Sequence, residues 1–118
     1  MSRFHRFRLA VCIASAAAAG ACTTLTTARD PGVHMLIGEV AAERGEYGRA
    51  ADEYRLAAAA GGDAKIAERA ARLAFDNGQD VELERIAREW LAREPKSEVA
   101  LRFLAVALLQ LDRRAEAT

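Results

Sequence analysis

The sequence predicts an all-α chain of antiparallel helical hairpins stacked as a short α-solenoid, on three observations. Small and apolar residues recur at helical intervals on both sides of a glycine at Gly45, and the pattern returns around Gly78, 33 residues later. Within 118 residues that are 52% hydrophobic and 6% aromatic there are only 2 prolines, so strong helix formers dominate and no strand-rich segment competes.

The chain opens on a presequence, expected over residues 1–21. Met1–Arg8 carries Arg3, Arg6 and Arg8 without an acid, and Leu9–Gly20 is an apolar stretch. A membrane-spanning helix needs about 20 apolar residues, so this shorter run fits an export signal rather than a permanent anchor. Ala19-Gly20-Ala21-Cys22 resembles a bacterial lipobox, which implies lipidation of Cys22 as the first mature residue. The same residues satisfy the Ala-x-Ala pattern of ordinary secretory cleavage, which would leave Cys22 a free thiol. Thr23 stands where an inner-membrane retention signal would resemble Asp, so the implied destination is the outer membrane, facing the periplasm, and otherwise the periplasm. Residues 22–29 read as a threonine-rich, lipid-bearing tether spanning ~15 Å as a flexible coil.

Without the three presequence arginines, fourteen basic side chains face seventeen acidic ones. The signs alternate and no basic stripe forms, so nucleic acid is excluded as a partner. Cys12 and Cys22 both precede the repeats, which excludes a disulfide framework or a thiolate metal site.

The helical domain is expected over 30–118. Asp30-Pro31 starts a first helix: the Asp side chain accepts from free amides, and proline at the first helical position loses no hydrogen bond. Gly45 ends that helix near Arg44. A second helix from about Tyr47 should bury Tyr47, Ala50, Ala51, Tyr54, Ala57 and Ala58, and Gly61-Gly62-Asp63 stops it and caps the next. Ala67, Ala70, Ala71 and Ala74 form the small face before Asn77-Gly78, and Leu83, Ile86, Ala87, Trp90 and Leu91 form the apolar face after it. Ser97 caps a further helix that carries Leu101, Leu104, Ala105 and Leu108 on one face, with Phe103, Val106 and Leu109 beside it. Asp112 lies 34 residues beyond Gly78, where the next turn is expected, with Arg114–Ala117 opening a partner helix. The units are thus about 31–63, 64–97 and an incomplete 98–118.

The order Ile37-Gly38, Ala41, Tyr47, Ala50, Tyr54, Ala57, with Pro95 closing the second unit, resembles the tetratricopeptide repeat. The second unit departs from that pattern at Asp80, which replaces an aromatic, and at Leu83, which replaces a small residue. The resemblance implies about two and a half repeats and a concave face lined by the first helix of each unit. Aligned on the turns, that face comprises Met35, Glu39 and Ala42, then Lys65, Glu68, Arg72 and Phe75, then Val99, Arg102, Val106 and Leu109. Members that grip a C-terminal carboxylate use lysines and asparagines there, whereas the one asparagine here is Asn77, in a turn.

No catalytic constellation emerges. His34 is the one histidine beyond the presequence and reads as a packing residue, while Glu43, Glu46, Asp52 and Glu53 read as a solvated helical face. Trp90, Tyr47 and Tyr54 read as core. No cofactor and no metal is expected. The resulting expectation is a non-enzymatic, lipid-anchored module that binds a protein or peptide segment, with self-association through the uncovered third unit. The alternative is an accessory N-terminal domain of a longer protein whose C-terminal part carries an enzymatic or regulatory activity.

Overall fold

Among the described residues, five helices follow one another in an up-and-down stack: α1 (Pro31–Glu43), α2 (Tyr47–Gly61), α3 (Ala64–Asp76), α4 (Asp80–Arg93) and α5 (Glu98–Ala117). This computed structural model describes residues 30–61 and 63–118. The expectations placed on the presequence, on Cys22 and on the tether lie outside the described residues.

Local chemistry sets the helix ends. Asp30 accepts from the Gly32 amide at 2.7 Å, Asp63 from Lys65 at 2.8 Å and the Ser97 hydroxyl from Ala100 at 3.2 Å. Gly45 and Gly78 adopt φ of 76° and 66°, a conformation that costs any residue with a Cβ roughly 1–2 kcal/mol. Both turns close in the same way: Glu46 donates back to the Ala41 carbonyl at 2.9 Å and Gln79 to Ala74 at 2.8 Å. Such a paired turn satisfies the carbonyls left open at the end of a helix.

Each helix packs on its sequence neighbour, and α2 also meets α4 while α3 meets α5. Alanines make these approaches close: Ala67, Ala70, Ala71 and Ala74 are all buried, as their spacing requires. Larger side chains then fill the space between hairpins, with Tyr54, Leu83, Ile86 and Trp90 in one cluster. Tyr47 departs from expectation at 37% exposure. It begins α2, and burial starts one turn later at Ala50 and Ala51.

The third unit differs most from the sequence expectation. Instead of a turn at Asp112, α5 runs unbroken to Ala117. Its inward residues Ala100, Phe103 and Ala107 lie 33 positions after Ala67, Ala70 and Ala74, so the helix is set one residue away from the expected 34-residue register. One residue rotates a helix face by about 100°. Leu101 and Leu108 accordingly remain 49% and 42% exposed, and the turn position falls on Leu111. With no glycine at 111 or 112, and with Arg, Ala and Glu following, helix propagation wins. The added turns are used: Arg114 reaches back, its guanidinium 2.9 Å from the Asp80 carboxylate and donating to the Gly78 carbonyl at 2.9 Å. Asp80, one of the departures from the repeat pattern, is buried at 6% exposure as the acceptor of that latch.

Candidate protein-binding surface

Where α3 and α5 lie side by side, they leave an apolar groove of about 180 Å³ lined by Arg72, Phe75, Val99, Arg102, Phe103 and Val106. Its floor is an aromatic pair: Phe75 and Phe103 meet edge to face with ring centroids 6.4 Å apart. Phe75 is nonetheless 46% exposed, so a large ring faces water instead of a covering helix. Val99 and Val106 form the wall on α5. The volume lies below the ~300–1,000 Å³ of small-molecule sites, and suits an inserted side chain better than an enclosed metabolite.

Two guanidiniums stand at the rim. Arg72 pairs with Glu68 at 2.6 Å and Arg102 with Glu98 at 3.5 Å, each one helical turn away along an exposed surface. Exposed pairs of this type contribute only about 0.3–0.5 kcal/mol, so either arginine can turn to a carboxylate on a bound segment at little cost.

The structure therefore brings together five residues of the aligned surface: Arg72, Phe75, Val99, Arg102 and Val106. The other six lie outside this groove. Met35 packs against the core, and Ala42 is half-buried. Glu39 is held by the Arg69 guanidinium, which also lies 5.0 Å over the Tyr54 ring. Lys65 is exposed in the first turn of α3, Glu68 is engaged with Arg72, and Leu109 is 51% exposed on α5. Phe103, half the floor, belongs to the site although turn alignment omits it. An exposed-looking aromatic on an otherwise aliphatic helix is the signal that would have found it.

Two further side chains differ from their sequence assignment. His34 makes a polar contact rather than apolar packing, with its Nδ1 2.6 Å from the Glu53 carboxylate. Glu53 is consequently drawn between α1 and α2 instead of lying on a solvated face, and Asp52 pairs with Arg55 at 2.7 Å. Among the described residues, no helix is long and apolar enough to cross a membrane, and no group of three His, Cys, Asp or Glu is placed to hold a metal. Comparisons with protein-family models, with curated proteins and with solved structures return no match.

Proposed function

We propose that the chain is a non-enzymatic interaction module of the tetratricopeptide-repeat type, holding an apolar segment of a protein or peptide in the groove between α3 and α5. The observation that carries this reading is the Phe75–Phe103 pair, which remains partly open to water with valines on one side and arginines at its rim. Burying apolar area stabilises by about 25 cal/mol per Å², and a concave aromatic floor concentrates that gain on one inserted side chain. The partner should carry a branched or aromatic residue next to an acid. Panning random displayed peptides on the full-length protein, with counter-selection on Val106→Glu, tests the proposal. Enrichment of apolar peptides that lose at least about tenfold in affinity for the variant, roughly 1.4 kcal/mol, is the expected result. Equal binding to both proteins would refute the assignment.

The module is further proposed to be held at the bacterial envelope through a lipid on Cys22, on the strength of the small-residue site before it and the threonine-rich tether after it. Labelled palmitate fed to a diderm host should enter the parent protein and not Cys22→Ser. Equal incorporation would leave ordinary secretory cleavage as the surviving alternative.

A further inference from the structure

Two apolar stripes remain uncovered at opposite ends of the stack among the described residues. On α1, Val33, Leu36 and Val40 are 46%, 66% and 39% exposed, beside a crevice of about 300 Å³ that Leu36, Ile37, Val40, Arg44 and Arg49 help to line. On α5, Leu101 and Leu108 are about half exposed with Ala105 between them.

The 33-residue register relates these stripes to contacts already made within the chain. Stepping back one repeat from Leu101, Ala105 and Leu108 reaches Glu68, Arg72 and Phe75, of which Arg72 and Phe75 line the side that α3 turns toward α5. Stepping back two repeats from Val99, Arg102 and Val106 reaches Val33, Leu36 and Val40. The α5 stripe thus repeats the face that receives the next odd-numbered helix, and the α1 stripe repeats the face by which such a helix docks. The Glu39–Arg69 pair joins the corresponding positions of α1 and α3, one repeat before Arg72 and Arg102, although the backbones of these two helices do not themselves approach.

We propose that a second copy of this chain docks its α1 stripe onto the α5 stripe, head to tail and parallel, as alternate helices of an up-and-down stack run. In this register Leu108 comes opposite Ile37 and Val40, and its side chain has the α1 crevice to enter. Asp112, one turn beyond Leu108, comes opposite Arg44, one turn beyond Val40. Neither charge is paired among the described residues. Because the two faces differ, the contact is heterologous, and each added copy presents one fresh end for the next. Because the contact joins separate copies, association rises with concentration by mass action.

Sedimentation of the full-length chain bearing Cys22→Ser, which removes any lipid contribution, tests the proposal in combination with Leu36→Glu or Leu108→Glu. The parent mass should rise past dimer with concentration, each variant alone should remain monomeric, and their equimolar mixture should recover a dimer and no more. That recovery is possible only if both variants fold and their intact ends are complementary. A parent that stays monomeric, a Leu36→Glu protein that associates like the parent, or a mixture that stays monomeric while both variants melt as the parent does would each overturn it. If either glutamate disturbs folding, Arg44→Asp should lower association and Arg44→Asp with Asp112→Arg should restore it. Failure of the charge exchange to restore association counts against the proposed register.

Discussion

Tyr54→Ala is expected to destabilise the domain by about 3–5 kcal/mol, the range for removing a fully buried aromatic. Tyr54 is 1% exposed, and a Cβ built on Gly38 of α1 would meet its ring at 3.3 Å, so the two helices close directly on it. From α3, Arg69 stacks over the same ring. Domains are typically stable by only about 5–15 kcal/mol, and the substitution should bring the urea midpoint close to native conditions. Tyr54→Phe should cost far less, and it isolates the hydroxyl. Burial first, and the Glu39 carboxylate second, push that hydroxyl from 10.0 up to about 12. The folded state therefore favours the neutral phenol. Its contribution is intact below pH 10 and is lost as the pH climbs from 10 to about 12. The stability difference between parent and Tyr54→Phe should be flat below that window and fall within it. Parallel pH profiles for the two proteins would remove the hydroxyl from the account.

Arg114→Ala is expected to cost about 1–3 kcal/mol, below the ~3–5 kcal/mol for breaking a fully buried pair because the arginine is itself largely exposed. The exposures of the two side chains are 60% for Arg114 and 7% for Asp80, so removing the arginine strands a buried carboxylate. Asp80→Ala leaves behind only a guanidinium that water can solvate. The arginine variant should therefore be the less stable of the two, and the double variant should resemble Asp80→Ala, since its penalty has no stranded charge. Chemical unfolding of the three proteins decides this. If Asp80→Ala proved the most damaging, the carboxylate would act chiefly at the start of α4 and not as the anchor of the C-terminal latch.

The parts of the fold legible in the sequence are those governed by near neighbours. Asp30-Pro31, Gly45, Asn77-Gly78 and Ser97 mark ends whose hydrogen bonds span at most five residues. The alanine face of α3 was legible for a related reason, because four small residues at helical spacing have few other uses. The register of α5 was not. That helix is apolar nearly all round, so Leu101, Leu104 and Leu108 fit a helical face as well as Ala100, Phe103 and Ala107 do. The choice between them is made by packing on α3 and by the Arg114 contact 34 residues from Asp80. The groove was recovered in part, since Arg72 and Phe75 follow directly from the turn at Gly78. Glu53 was misplaced because the partner that draws it inward, His34, lies 19 residues away.

Among the described residues, no helix packs on another more than two places away along the chain. Loops of a few residues close at small entropic cost, and chains dominated by such near contacts rank among the fast folders. A hairpin that forms first presents its neighbour with a finished surface, so order can spread outward from any unit instead of waiting on a distant pairing. The same locality means that the chain has no single step at which its whole topology must be found at once.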